Sequence, residues 1–263
     1  MSAANGVVLY DGPSMIDGGP IVVILTWHST NRKTGGACSA SGPRQCVAGK
    51  DCMAQTWILR ADADPVESLA ADTDASICGS CVHRGRIDDA TGKRVERSCY
   101  VNVGQGPLSV WRSWRAGNYP VADVRDVAAI VREHGRAVRF GAYGDPGAVP
   151  LSVWLPLRDA ATVTTGYTHQ WRALDGAWSS FLMASGDTVA DRADARRDGW
   201  RTFYVAPRDG SGTAGAIECL SDSRGLSCID CGACAGRKGR DTVAVDVYIR
   251  AHGAGAKHVD ARS

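Results

Sequence analysis

Runs of apolar residues alternate with amphipathic segments along most of the chain. The run Pro20–Trp27 is continuously apolar and rich in β-branched residues, which is typical of a strand buried on both faces. Between residues 121 and 134, Val124, Val127, Ala128 and Val131 recur at helical spacing, and Gly135 then ends the predicted helix. Further strands are predicted over 55–60, 137–143, 162–168, 182–185, 200–205, 215–218 and 242–249, and further helices over 107–116, 150–161 and 188–198.

Strands that alternate with helices of about 10–15 residues predict βαβ units and a parallel sheet. Five or six such strands are fewer than a complete eight-stranded barrel needs. The predicted fold class is therefore α/β, with a partial, TIM-barrel-like (β/α) fold, cysteine-rich loops and a C-terminal extension. We expect a single domain over residues 1–252, followed by a flexible tail over 253–263.

Composition narrows the range of partners. The chain has 263 residues, of which 44% are hydrophobic and 22% charged, so it can form a sizeable core. The net charge of +2 gives no reason to expect a nucleic acid or an anionic membrane as partner. No apolar run approaches the roughly 20 residues of a membrane span, and the N-terminus lacks the pattern of a secretory signal, so we expect a cytoplasmic protein. We find no glycine-rich phosphate loop.

The ten cysteines are bunched, which is unusual for a chain that looks intracellular. In a reducing compartment, clustered thiols are more often metal ligands or catalytic groups than disulfides. The cysteines fall into three groups, at 38–52, 78–99 and 219–234. This distribution favours metal binding over scattered core cysteines.

The late motif, within residues 215–240, has the spacing Cys219-x8-Cys228-x2-Cys231-x2-Cys234. Two-residue gaps let thiolates converge on one centre, because the chain between them turns tightly. Four thiolates fit either tetrahedral zinc or an iron–sulfur cluster. Two successive two-residue gaps favour a 4Fe–4S cluster, since structural zinc sites usually use two separated pairs. Zn²⁺ and a role without metal remain the alternatives.

The second motif is the loop 78–100, with Cys78-x2-Cys81-x17-Cys99 followed by Tyr100. Three thiolates leave one coordination position either open or filled from elsewhere, for example by Cys52, His83 or a late thiol. An open iron would permit substrate or cofactor binding, whereas the simpler alternative is a zinc ribbon that pins a loop.

The third group, Cys38, Cys46 and Cys52, lies in a polar segment, 28–54, that we interpret as an insertion. Its spacing matches no reliable metal pattern. These residues are a small zinc knuckle, a source of one extra ligand, or ordinary thiols that behave as small hydrophobes.

Three predicted strands end in polar residues. Gly144 and Asp145 follow the strand 137–143, His169 follows the next one, and Ser185-Gly186-Asp187 ends a third. Ligands of parallel α/β folds bind outside the carboxyl ends of the strands. We therefore predict that Asp145 accepts hydrogen bonds from an ammonium group and that Asp145 and His169 act in catalysis. The alternatives are that Asp145 only forms a turn and that His169 only packs.

Several motifs together carry a family resemblance. The segments Asn31–Gly35, Cys78–Cys81, Ser98–Val101, Tyr143–Pro146, Thr165–Trp171, Gly199–Phe203 and the late cysteine motif resemble a family of actinobacteriophage and other phage proteins. The resemblance runs from about residue 20 to residue 252. It implies a phage protein in the host cell cytoplasm and implies no particular activity.

The chain is more distantly similar to radical S-adenosylmethionine (SAM) enzymes, which have a partial (β/α) barrel. That resemblance implies that Cys78, Cys81 and Cys99 hold a cluster beside Tyr100, and that Gly141 to Pro146 binds the amine of S-adenosylmethionine. It also makes Ser185 a cofactor contact and the late cysteines the ligands of an auxiliary cluster. The usual Cys-x3-Cys-x2-Cys spacing is replaced here by a 17-residue gap.

Taken together, the sequence predicts a phage iron–sulfur protein with one or two 4Fe–4S clusters, acting as a redox or radical-SAM-like enzyme on an unknown small molecule. A structural or redox-sensing iron–sulfur protein that binds a host or phage protein is the first alternative. A zinc-stabilised nucleic-acid-binding module is the second, although the near-neutral charge argues against it.

Overall fold

A nine-stranded, mostly parallel sheet organises the fold and places the protein in the α/β class. The computed structural model describes residues 4–27, 53–238, 245–253 and 255–261. Its strands are β1 (Gly6–Pro13), β2 (Pro20–Thr26), β3 (Met53–Arg60), β4 (Arg86–Ile87), β5 (Arg94–Val95), β6 (Ala137–Tyr143), β7 (Thr164–Thr168), β8 (Met183–Ser185), β9 (Thr202–Ala206), β10 (Ala216–Glu218) and β11 (Asp246–Arg250). The sheet runs β1-β2-β3-β6-β7-β8-β9-β11-β10, and β4 with β5 forms a separate hairpin.

Only β2 runs against the other strands of the described nine-stranded sheet. β1 pairs antiparallel with β2, and β2 pairs antiparallel with β3. From β3 to β10 every neighbouring pair is parallel, as the alternation of strands and helices predicts. The last two strands are inverted in order, because β11 lies between β9 and β10. All the parallel strands thus end at one edge of the sheet.

The four predicted helices form close to their predicted positions, and the described residues form five shorter helices as well. Together they are α1 (Pro65–Ala70), α2 (Ala75–Cys78), α3 (Gly106–Arg115), α4 (Val124–Glu133), α5 (Leu151–Ala160), α6 (Val189–Arg197), α7 (Leu220–Arg224), α8 (Cys228–Cys231) and α9 (Ala256–Asp260). α4 begins at Val124 because the Asp123 side chain caps it by accepting the Arg125 backbone N–H at 2.7 Å. It buries Val127, Ala128 and Val131, the face that the periodicity identifies.

The main core lies around β2, β3 and β6. β2 is buried along its length after Pro20, as its continuous apolar sequence predicts, although both of its neighbours are antiparallel. Aromatic side chains fill the space between the sheet and α5: the ring of Phe140 meets Trp154 edge-on at 5.4 Å and Phe181 at 5.1 Å. Trp154 is fully buried and donates its indole N–H to the Pro146 carbonyl at 3.0 Å.

The tryptophans of α3 belong to the packing of the fold. Trp111 and Trp114 are partly buried against the main core, and Trp111 donates its indole N–H to the Arg60 carbonyl at 3.1 Å. Arg115 lies 5.6 Å from the centre of each indole ring. The described contacts of these three side chains therefore lie within the fold.

The C-terminal segment is more ordered than the predicted tail. Within residues 253–263, α9 buries Ala256 and Val259 against Ala251, and Asp260 pairs with Arg208 at 2.6 Å. Ala256 and Val259, three residues apart, form one apolar face of α9. The segment is short and flanked by glycines, so its sequence did not predict a helix. No helix in the described part of the chain is long and apolar enough to cross a membrane.

Candidate metal and ligand site

A cavity of about 350 Å³ opens at the carboxyl ends of the parallel strands. Asp145 reaches it from the turn after β6, His169 from the end of β7, and Ser185 and Asp187 from the end of β8. The structure therefore brings the three polar strand ends to one cavity. Cysteines of both described groups also line it: Cys78, Cys81, Cys99, Cys219 and Cys228.

The turn after β6 depends on Gly144. Its φ is +79°, a left-handed conformation that glycine adopts without strain. A Cβ atom at this position would lie 2.7 Å from the Ile58 carbonyl oxygen and Cβ. Gly144 thus lets the chain pass directly over β3, and that close approach aims Asp145 at the cavity.

Asp145 is buried and already tied to the backbone of neighbouring elements. One carboxylate oxygen accepts the Gly147 N–H at 2.8 Å, and the other accepts the His169 N–H at 2.7 Å. Its own N–H donates to the Ile77 carbonyl at 2.6 Å. Asp145 therefore joins the end of β6, the end of β7 and the segment before Cys78. The oxygen that accepts the His169 N–H also accepts the Gln170 side-chain amide at 3.5 Å, so the other oxygen has more room for a further donor, and the predicted contact with an ammonium group stays a prediction.

The hairpin β4–β5 explains how Cys99 returns to Cys78 and Cys81 across a long gap. Cys81 and Cys78 share a tight turn, with the Cys81 N–H donating to the Cys78 carbonyl at 3.3 Å. After the hairpin, the N–H groups of Ser98 and Cys99 both donate to the His83 carbonyl, at 3.1 and 3.0 Å. Two backbone hydrogen bonds thus fix Cys99 beside the Cys78–Cys81 turn.

A buried ionic network holds this loop in place. The Asp74 carboxylate is almost fully buried and pairs with Arg84 at 2.7 Å and Arg94 at 3.2 Å. Arg94 also pairs with Asp72 at 2.7 Å and donates to the Leu69 carbonyl at 2.8 Å. Burial, together with the negative charge of Cys81, raises the pKa of the Cys78 thiol well above its ordinary value.

The late cysteines surround a second, much smaller cavity of about 20 Å³. Cys219 is anchored to the sheet, because its N–H donates to the Tyr248 carbonyl of β11 at 2.7 Å. Ser227 caps α8 by accepting the Asp230 N–H at 3.2 Å. Burial raises the pKa of the Cys234 thiol to about 12. The cavity is lined by Cys219, Cys228, Cys231 and Cys234, with Tyr167, Ile217, Ala233 and Val247 among its other walls.

The two cysteine groups share a wall. Tyr167 of β7 lines both cavities, and its ring stacks on Phe203 of β9 at 4.1 Å between the ring centres. Cys219 and Cys228 also face both cavities. Tyr167 was not predicted as a site residue, although it lies inside a predicted parallel strand that is followed by His169.

Thiol spacing bears on the type of metal centre. With zinc–sulfur bonds of about 2.3 Å, the sulfurs of a tetrahedral zinc site lie about 3.8 Å apart. Among the described residues, no three cysteine sulfurs lie within 4.8 Å of one another. In neither described cysteine group, therefore, do three sulfur atoms lie as close together as the ligands of a single zinc ion. A 4Fe–4S cluster separates its ligands further, because each thiolate binds a different iron.

A second set of polar side chains stands on the cavity wall beside Cys81. Asp187 lies between two imidazoles, 3.4 Å from His83 Nε2 and 3.3 Å from His169 Nε2. Although burial opposes it, the negative charges of Cys81 and Asp187 raise the pKa of His169 well above its ordinary value. Against burial too, the two imidazoles hold the pKa of Asp187 below its ordinary range. The pocket thus favours a positive charge.

The remaining predicted site residues differ in how they meet the cavity. Tyr100 is 43% exposed and stacks on His252 with 4.4 Å between ring centres, so it forms part of the rim. Ser185 lies at the wall, and its carbonyl accepts the Trp171 indole N–H at 3.2 Å. Tyr143 also lines the cavity, and its buried hydroxyl has no hydrogen-bond partner within the described residues. Cys38, Cys46 and Cys52 lie outside the described residues.

Comparison of the chain with protein-family models, curated proteins and solved structures finds no match.

Proposed function

We propose that the protein is an iron–sulfur redox enzyme whose first cluster is held by Cys78, Cys81 and Cys99 and faces a small-molecule site. The observation that carries the proposal is the single cavity at the strand ends, lined by these three cysteines and by Asp145, His169 and Ser185. Ligand sites of α/β proteins occur at this edge of the sheet. A volume of about 350 Å³ is also within the range of small-molecule pockets.

Three thiols are one ligand short of a complete cluster site. A 4Fe–4S cluster bound by Cys78, Cys81 and Cys99 would have one iron free to meet a ligand in the cavity. When bound, such a cluster supplies single electrons. The chain itself orients the ligand through Asp145 and His169, and Tyr100 covers the rim.

The late cysteines form the second part of the proposal. We infer that Cys219, Cys228, Cys231 and Cys234 hold an electron-transfer cluster, for which the cavity of about 20 Å³ between them must widen, since that volume takes little more than a water molecule. Their shared wall with the first site, formed by Tyr167 and by Cys219 and Cys228 themselves, supports a short path for electrons between the two centres.

The resemblance to radical S-adenosylmethionine enzymes supplies the finer form of the proposal. In that form the parallel strands curve into a partial, TIM-barrel-like sheet, and S-adenosylmethionine lies in the cavity with its amine near Asp145. The parallel order from β3 to β10 and the strand-end position of Asp145 support it. We also propose that the protein belongs to a phage and acts in the cytoplasm of the host.

Anaerobic purification with quantification of iron, sulfide and zinc tests the metal assignment. We expect a brown protein that contains iron and acid-labile sulfide, with about half of both lost in Cys78→Ser and about half in Cys231→Ser, since each substitution removes one of two clusters. Colourless protein that contains zinc without sulfide would reject the proposal.

Incubation of the reduced protein with S-adenosylmethionine tests the finer form. Release of methionine that stops in Cys78→Ser supports a radical-SAM-like enzyme. Iron-loaded protein that neither binds nor cleaves S-adenosylmethionine would reject that finer form and favour the structural or redox-sensing alternative.

A further inference from the structure

We propose that His83, His169 and Asp187 form a binding site for a divalent transition-metal ion, separate from the cysteine sites, on the wall of the larger cavity. The three side chains come from distant parts of the chain: His83 follows the Cys78–Cys81 turn, His169 ends β7 and Asp187 follows β8. Their ligand atoms all lie within 4.8 Å of one another. The inference goes beyond the proposed iron–sulfur function and does not depend on it.

The separations between these atoms fit metal ligands better than hydrogen-bonded ions. Charge-assisted N–H···O bonds measure about 2.7–2.9 Å. Asp187 instead lies 3.4 Å from His83 Nε2 and 3.3 Å from His169 Nε2. With bonds of about 2.0–2.1 Å, neighbouring ligand atoms of a tetrahedral zinc site lie about 3.3–3.4 Å apart. Each imidazole faces its own Asp187 oxygen at a distance close to that edge, Oδ1 for His83 and Oδ2 for His169.

The imidazole of His83 is oriented for this role by a neighbour. Its Nδ1 lies 2.8 Å from the hydroxyl oxygen of the buried Ser98. When Nδ1 carries the proton and donates to that oxygen, Nε2 is left as a lone-pair donor facing Asp187. Metal-bound histidines commonly use their second nitrogen in this way, because the contact fixes both the tautomer and the ring.

The imidazole of His169 shows an unmet requirement. Its Nε2 is buried and has no hydrogen-bond partner among the described residues, although it points toward Asp187. Its backbone is fixed by the hydrogen bond to Asp145 at 2.7 Å, so the ring cannot easily turn away. The contact with Asp187 is an ion pair without hydrogen-bond geometry, and a metal ion bound by both groups would satisfy the nitrogen more fully.

The chemistry of the donor set indicates the class of metal. Two imidazole nitrogens and one carboxylate suit zinc and non-haem iron(II), and such sites keep further positions open. All three side chains line the cavity, so those open positions would face a ligand there. The ion would then lie beside Cys81 and next to the first cluster site.

Zinc binding to the full-length protein tests the proposal. Anaerobic protein is dialysed against Zn²⁺, and zinc, iron and sulfide are counted in the same samples for wild type, Asp187→Asn and His83→Gln. Asp89→Asn, a change at an exposed carboxylate outside the cavity, is the control. We expect one zinc ion per chain in wild type and control. Affinity for zinc should fall by at least about tenfold in the two site variants, because losing even a residue that only hydrogen-bonds to a metal ligand costs that much.

A further variant separates this site from the cysteines. In Cys78→Ser, the zinc that depends on Asp187 should remain whether or not the protein carries iron. If the unfolding temperature of Asp187→Asn is close to that of wild type, the loss of zinc is not caused by a loss of the fold.

Three results would overturn the site. The first is equal zinc affinity in Asp187→Asn and wild type, and the second is zinc that leaves with Cys78→Ser alone. The third is a changed iron–sulfur spectrum in His169→Gln with no zinc bound to wild type, which would make His169 a cluster ligand instead.

Discussion

Replacing Asp145 by asparagine tests whether its carboxylate holds the strand ends together. Asparagine keeps the oxygen that accepts the Gly147 N–H, but it turns an NH₂ group toward the His169 N–H, which the native carboxylate accepts at 2.7 Å. A hydrogen bond to a charged group contributes about 1.5–3 kcal/mol, and the N–H is left without an acceptor. We expect a loss of ~2 kcal/mol in the free energy of unfolding, or a Tm lower by roughly 4–8 °C.

Urea denaturation of the metal-free protein measures this effect, with Asp175→Asn as the matched control. The Asp175 carboxylate is exposed and accepts only the Ala177 N–H, at 2.9 Å. Asparagine and aspartate cap such positions equally well, so the control should stay within about 0.5 kcal/mol of wild type. If Asp145→Asn were as stable as this control, the carboxylate would not be joining β6 to β7.

Three further substitutions test other parts of the structure. Gly144→Ala should lower the free energy of unfolding by more than about 2 kcal/mol in urea denaturation, because backbone strain at φ +79° adds to the collision with Ile58. The control Gly92→Ala, at φ +64° with no atom near its Cβ, should lower it by only about 1 kcal/mol. Equal losses in the two variants would contradict the collision. Trp154→Ala should lose about 3–5 kcal/mol by the same assay, and a loss below 1 kcal/mol would mean that this fully buried ring is not part of a packed core. Cys231→Ser should lose iron and solubility together, because the binding of metal by four thiolates is coupled to folding. Metal content and sedimentation measure the two losses. Soluble protein with unchanged iron would refute Cys231 as a cluster ligand.

The pattern of apolar residues predicted most of the sheet but not every partner. β2 was identified by its unbroken apolar sequence, and its burial is confirmed. Its antiparallel pairing was not foreseen, because burial on both faces is equally compatible with either direction. β1 was missed because its second half alternates with exposed residues at the edge of the sheet. The pattern of apolar and polar residues along a strand indicates which of its faces are buried, whereas the order of the strands depends on contacts between residues far apart in the sequence.

The candidate site shows the same division. The strand-end positions of Asp145, His169 and Ser185 could be predicted, because the carboxyl ends of parallel strands share an edge. The meeting of His83 with Asp187 could not, since it requires the β4–β5 hairpin to bring one loop against the end of β8. The same hairpin brings the chain back to Cys99 across the 17-residue gap, which the spacing alone does not show.

The position of β11 between β9 and β10 has a consequence for biosynthesis. The late cysteines occupy the connection from β10 to β11, and the Cys219 backbone is bonded to Tyr248 of β11. During synthesis, therefore, β10 has no described strand to pair with until β11 has left the ribosome and paired with β9. The early cysteine loop can mature while translation continues, but the late pocket closes only after that strand has been released from the exit tunnel. Folding of the two cysteine segments is thus ordered by the direction of synthesis.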